Sequence, residues 1–309
     1  MKWMKFWALF LGVFIGGFGA AFFLDTHPMN VLAAVIASEE EYTESDVVAE
    51  HGVVNEETAT TSLVEPASVI ETSILPASAT STNAVKVPVL VYHSVRPYIK
   101  GESKQQDIYD VTPELLESEL VYIRDHGYTT ITFADVITHF GNGASLPEKP
   151  VILSFDDGWR NEYEHAFPLL KKYGMKGTFF IFTNPIVHHK AHWVTWNEVR
   201  EMDKAGMEIG GHTRTHPLLT KITSDAGLDK EIGESKGIIE SEIGHPVTAF
   251  AYPFGAKNVQ IEHAVERAGY QIARTTRSGV WNDPAHRFEF HGSLSTDKIS
   301  DFEQLLVKE

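Results

Sequence analysis

The sequence predicts an α/β fold: parallel strands and helices alternate and close into a (β/α) barrel, behind an N-terminal hydrophobic helix and a disordered linker. Three observations carry this expectation. From Val87 onward, short apolar runs alternate with amphipathic stretches seven or eight times. The apolar runs are continuous, as in strands buried on both faces by covering helices. Several helical stretches stop at a glycine, as at Gly174, Gly206 and Gly269, where a left-handed residue ends a helix without a Cβ penalty. About 220 residues in that many units fit a barrel better than an open doubly wound sheet, which is the alternative.

Residues 1–37 begin with lysines in "MKWMK" and continue with 19 apolar or small residues, Phe6 to Leu24, without a charge. A membrane-spanning helix needs about 20 such residues. The core of a cleaved signal peptide has about 7–15, so the length favours a signal anchor. A cleaved signal peptide is the second reading, with Val35 and Ala37 as the small residues before the cut. Either would export the remainder of the chain to the extracellular face, membrane-anchored or secreted. Residues 38–86 carry ten acidic residues and one lysine, with prolines at Pro66 and Pro76 and no sustained period. One-signed charge and few aromatics predict a disordered linker.

The whole chain carries a net charge of -16, from 42 acidic and 26 basic residues, which argues against a nucleic-acid partner. There is no cysteine, so disulfides, thiolate metal sites and cysteine nucleophiles are excluded. No protein partner is predicted.

Residues 87–309 form the predicted globular domain. A first strand covers Val87–Val95. Thr112 as N-cap and Pro113 at the first helical position open a helix ending near Gly127. A strand over Tyr128–Phe133 and a short helix come next. "PVILSF" is a strand and "EYEHAFPLLKKYG" a helix; "KGTFFIF" is a strand and "TWNEVREMDKAG" a helix. "MEIGGH" is a strand, followed by a long helix over Asp225–Ile243. "VTAFAYPFG" and "YQIARTT" are strands flanking the helix "VQIEHAVERAG". "RFEFHG" is a last strand and "DKISDFEQLLVK" a closing helix. No glycine-rich phosphate loop follows the first strand, so a dinucleotide role has no support.

In such barrels the chemistry gathers where strands end. The strands deliver His93, the pair Asp156–Asp157, His212 with His216 four residues on, Tyr252-Pro253-Phe254, and His291. Two imidazoles and one carboxylate supply three ligands and leave a position for water or substrate, as a catalytic zinc ion requires. Taken singly, each feature has a plainer reading. Asp-Asp-Gly is ordinary turn and cap chemistry, and two histidines four apart occur on many surfaces. Trp159 either forms a sugar-stacking wall or packs beneath its loop. His93 is either near the site or a core histidine. The run His188, His189, His192, Trp193 reads first as a solvated loop at the cleft mouth, with a second metal site as the alternative. Tyr98 and Asp107 lie in a long segment that caps the substrate in one reading.

Taken together, "SFDDG", "HTRTH" and "AYPFG", in that order, resemble the successive motifs of the polysaccharide deacetylase family, the carbohydrate esterase group with the NodB-homology domain. "VPVLVYHSV" and "FAYPFG" are most similar to the branch that acts on poly-N-acetylglucosamine biofilm polymers. The resemblance implies a distorted (β/α) barrel of about seven repeats. It also implies metal-dependent removal of acetyl groups from N-acetylglucosamine units of an extracellular polysaccharide. By position, Asp157, His212 and His216 would hold a divalent ion, zinc first, and Asp156 would be the general base. The backbone N–H of Tyr252 would hold the oxyanion. Many members have arginine where Ala251 stands, orienting the catalytic aspartate; Arg287 is the expected substitute here. The late histidine motif is indistinct: His291 lies near its expected place as the candidate general acid, and a buried or surface histidine is its plainer reading. Peptidoglycan is the alternative polymer, and a non-catalytic carbohydrate-binding protein the alternative class.

Overall fold

The computed structural model describes residues 83–99, 101, 109–295 and 298–307, all within one unit of the chain, Glu71–Glu309. The predicted N-terminal helix, nearly all of the predicted linker, and Asp107 lie outside the described residues. Among the described residues no helix is long and apolar enough to cross a membrane.

The strands are β1 (Val85–Lys86), β2 (Val89–Tyr92), β3 (Ser94–Val95), β4 (Asp110–Val111), β5 (Thr129–Ile131), β6 (Pro150–Asp157), β7 (Thr178–Ile181), β8 (Glu208–Gly211), β9 (Ala249–Ala251), β10 (Ile272–Arg274), β11 (Trp281–Asn282) and β12 (Ser293–Leu294). The helices are α1 (Pro113–Asp125), α2 (Phe133–Asn142), α3 (Phe167–Tyr173), α4 (Asn184–Val187), α5 (Trp196–Lys204), α6 (Asp225–Asp229), α7 (Ser235–Ile243), α8 (Val259–Arg267) and α9 (Ile299–Val307). A π-turn, Glu162–Ala166, leads into α3, and another, Lys230–Glu234, joins α6 to α7.

Eight parallel strands form a curled sheet in the order β10-β9-β8-β7-β6-β2-β12, with β5 also on β6. Alternation sends Val89 and Val91 of β2, Ile152 of β6, Phe180 of β7 and Ala249 and Ala251 of β9 to one interior. Phe133 and Val136 of α2 pack into the same cluster. Segment 287–295 touches both edges: Phe290 donates to Ala273 of β10, and Ser295 to Val91 of β2. The result is an α/β fold consistent with a distorted barrel.

The boundaries differ from expectation where long-range contacts intervene. The first strand breaks at His93, because β3 leaves β2 to pair with β4. Asn161 clamps β3, accepting from Val95 N at 3.1 Å and donating to Ser94 Oγ at 3.0 Å. Thr132 and Asp135 form a reciprocal capping box, which starts α2 at Phe133 and shortens the preceding strand. The strand expected over "RFEFHG" is replaced by one isolated bridge, Arg274 with Phe290, followed by the two-residue β12.

Candidate active site

All eight residues of β6 are buried. Ile152 faces the interior, and alternation places Ser154 and Asp156 on the same side. Asp157 breaks the alternation: its φ is 77° and that of Gly158 is 73°. Both carboxylates therefore end on one rim. A side chain at Gly158 would bring a Cβ within 2.9 Å of Ile181 Cγ2, so the turn requires glycine there.

The structure brings His212 and His216 onto Asp157. Their Nε2 atoms lie 3.5 and 3.3 Å from Asp157 Oδ1. Gly211 lets β8 deliver His212, since a Cβ there would sit 2.0 Å from Tyr270 Oη. His212 Nδ1 lies 2.7 Å from the Ala251 carbonyl. That contact places the ring proton on Nδ1 and leaves the Nε2 lone pair facing Asp157. Trp159 Nε1 donates to Asp157 Oδ2 at 3.1 Å, whereas buried Oδ1 accepts no hydrogen bond. Burial alone would raise the Asp157 carboxyl. The rings of His216, His212 and His93 outweigh that and hold it well below the usual range. A buried anionic oxygen without a donor, facing two imidazoles, fits a cation. Among the described residues this is the group able to hold a metal ion, its ligand atoms all within 4.8 Å of one another. The histidine loop at 188–192 forms no second one.

Asp156 is held differently. Arg274 Nη2 lies 2.5 Å from both Oδ1 and Oδ2. The guanidinium is fully buried, 5.3 Å over the Phe180 ring, and donates through Nη1 to the Thr275 carbonyl. Arg274 is the register partner of Ala251. The guanidinium missing at 251 thus arrives one strand over, at the same level. Arg287, the expected substitute, instead pairs with Glu266 at the surface. The cue available in the sequence was weak: an arginine in an apolar strand, at the same alternation phase as Ile272.

His93 follows β2 and its Nε2 lies 4.0 Å from Asp156 Oδ2. Its ring packs edge-on against Tyr109 at 5.1 Å. Burial pushes its imidazole below the ordinary value, and the Asp157 and Asp156 carboxylates offset only part of that. His291 is placed elsewhere. Its backbone N–H and ring contact Asn282 Oδ1. Asn282 in turn donates to the Val87 carbonyl, at the opposite end of β2 from His93.

Tyr252 also departs from expectation. Its backbone N–H donates to the Arg274 carbonyl at 3.1 Å, as a rung of the β9–β10 ladder, and is not free for an oxyanion. Pro253 is buried and carries no N–H. Phe254 is 39% exposed, with φ 58°, and its ring lies 4.8 Å from His216. Trp159 stacks on Trp193 at 4.7 Å, so its packing role and its bond to Asp157 account for it. Tyr98 is exposed, on the loop after β3. Glu162, which the sequence did not flag, is fully buried with neither oxygen hydrogen-bonded. Burial, with Asp157 and Asp156 nearby, pushes its carboxyl well above the usual range.

Known proteins match this arrangement. The polysaccharide deacetylase family model matches residues 143–273. YxkH of Bacillus subtilis, a family member by name, is 31% identical over 206 residues, covering 67% of this chain and 70% of that protein. The poly-beta-1,6-N-acetyl-D-glucosamine N-deacetylase of Staphylococcus aureus is 27% identical over 199 residues, 58% of this chain and 68% of the relative. Among solved structures, the Streptococcus pyogenes deacetylase PplD in complex with acetate superposes with a TM-score of 0.67 at 27% identity, covering 72% of this chain and 98% of that one. Sequence motifs, fold and relatives agree: the chain belongs to the polysaccharide deacetylase family, as a hydrolase that removes N-acetyl groups.

Proposed function

We propose that the chain deacetylates N-acetylglucosamine units of an extracellular polysaccharide of the poly-N-acetylglucosamine type, releasing acetate. The observation that carries this reading is the unequal treatment of the two aspartates. Asp157 is turned toward two imidazoles, while Asp156 is pinned by Arg274. The polymer follows the named activity of the Staphylococcus aureus relative. The N-terminal apolar stretch supports export and attachment to the membrane. The curled sheet is read as a distorted barrel of about seven repeats with its cleft at the carboxyl-terminal rim.

Asp157, His212 and His216 would hold one divalent ion, and two imidazoles with one carboxylate favour zinc. When bound, the ion supplies polarisation of the acetamide carbonyl and acidification of a water. Asp156, oriented by both bonds to Arg274, takes the proton of the attacking water. The backbone N–H of Phe254, the next amide along after Tyr252, is the chain's donor to the oxyanion. As the carbon–nitrogen bond breaks, the leaving nitrogen gains a proton. That proton is the one Asp156 took from the water, and His93, its Nε2 4.0 Å from Asp156 Oδ2, is the ring placed to relay it, in the role for which the sequence offered His291. The products are acetate and a glucosamine amine.

The test is acetate release from defined β-1,6-linked N-acetylglucosamine oligomers with zinc supplied, beside peptidoglycan fragments. Release from the oligomers that vanishes in D156N supports the proposal. Faster turnover of peptidoglycan would replace the polymer, and no release from either would remove the activity.

A further inference from the structure

The turn Thr213–His216 presents both imidazoles, yet its backbone is strained. Thr213 has φ 73° and His216 φ 59°, left-handed values that cost on the order of 1–3 kcal/mol each outside glycine. Something must hold it, and its hydrogen bonds show what does. Arg214 N and Thr215 N both donate to Glu231 Oε2, at 3.1 and 2.8 Å, and Thr215 Oγ1 donates to Glu231 Oε1 at 2.8 Å. Ser235 Oγ donates to the Thr213 carbonyl at 2.7 Å, and His216 N to Thr213 Oγ1 at 3.0 Å. Glu231 and Ser235 are both buried. Glu231 lies in the π-turn Lys230–Glu234 and Ser235 begins α7 directly after it, and wide turns of that kind recur at functional sites.

We infer that Glu231 is a positioning residue for the metal site. It locks the strained turn so that His212 and His216 face Asp157 before an ion arrives, and it thereby sets metal affinity. Ser235 assists from the same helix. The inference rests on the reading of Asp157, His212 and His216 as ligands.

An internal control exists. Glu208 makes the same set of bonds elsewhere, accepting from Phe133 N, Ala134 N and Thr178 Oγ1. The experiment is zinc affinity of the full chain, measured by competition with a chromogenic chelator, beside thermal unfolding of the metal-free protein. E231A is expected to weaken zinc binding about tenfold or more, the range for outer partners of ligands. E231Q, whose side-chain oxygen still accepts both N–H groups, is expected to stay within about threefold. E208A is expected to lose stability and keep zinc affinity. E231A within about twofold of the parent overturns the inference. Should E231A fail to fold, S235A decides: about threefold weaker zinc binding supports it, and unchanged binding overturns it. D157N separates the two levels. If D157N binds zinc like the parent, the ligand reading itself fails. If D157N loses zinc while E231A does not, only the role of Glu231 fails.

Discussion

Glu208 and Glu231 use one device at two places, and the contrast separates stability from function in this molecule. Each carboxylate accepts two backbone N–H groups and one threonine hydroxyl. Glu208, the first residue of β8, caps α2, whose backbone is relaxed. Glu231 holds a loop with two left-handed non-glycine residues. Among the described residues the other left-handed non-glycine positions are Asp157, His189 and Phe254. Asp157 is the last residue of β6, and the other four lie in segments that follow β7, β8 or β9, toward the carboxyl-terminal rim. Three of the five, Asp157, Thr213 and His216, belong to the candidate metal cluster or to the turn that presents it, and hydrogen bonds from Glu231 and Ser235 hold that turn.

The sharpest test of that contrast lies within the rim. D156N is expected to lower kcat on the order of 10²–10⁴-fold while zinc content stays at the parent level. Loss of zinc in D156N would erase the division between the two aspartates. R274M comes next. Removing the partner of a buried carboxylate costs about 3–5 kcal/mol, to be read by urea unfolding, and kcat falls with it. A stable, fully active R274M would show that the guanidinium does not orient Asp156.

Away from the rim the expected effects are smaller and confined to stability. E208A leaves the Thr132–Asp135 capping box of α2 in place but removes the acceptor of Phe133 N and of buried Thr178, at about 1–3 kcal/mol. A change in zinc affinity there would break the contrast with Glu231. Glu119 gives the pH test. It is buried on α1, accepts from Tyr92 Oη and Ser295 Oγ, and burial raises its carboxyl to about 8 despite those bonds. The folded protein therefore binds this proton more tightly than the unfolded chain. The stability it contributes is full below the ordinary glutamate range and is lost as pH rises toward 8. The slope from this group is at most about 1.4 kcal/mol per pH unit. E119Q, permanently neutral, should flatten that part of the stability profile, and an unchanged slope would assign it to another group.

Much of this was legible because it is local. The apolar run into Asp156–Asp157 forms β6, and Thr112-Pro113, Gly174 and the period of Val259–Arg267 mark helix ends and faces. The "HTRTH" spacing and the aspartate pair identified the candidate ligands. What was missed depends on register and chain reversal. Arg274 reaches Asp156 across 118 positions. Its choice over Arg287 comes from the pairing of Arg274 with Ala251, which no motif encodes. The N–H of Tyr252 is taken by the same ladder. His93, rather than His291, lies beside Asp156, where β2 ends and the chain leaves it for β3 and β4, a pair of two-residue strands too short to read in advance. π-turns carry no compositional sign, so Glu231 and Ser235 looked like ordinary residues of one long helix.

The sequence by itself determined the alternation of elements, the family and the four candidate site residues Asp156, Asp157, His212 and His216, because periodicity and short motifs act through neighbours along the chain. Only the tertiary structure decided what holds each of the two aspartates. Strand register brings Arg274 to Asp156, and a left-handed turn takes Asp157 to the imidazoles. Both depend on contacts between distant segments, where a shift of one residue would send each side chain to the opposite face.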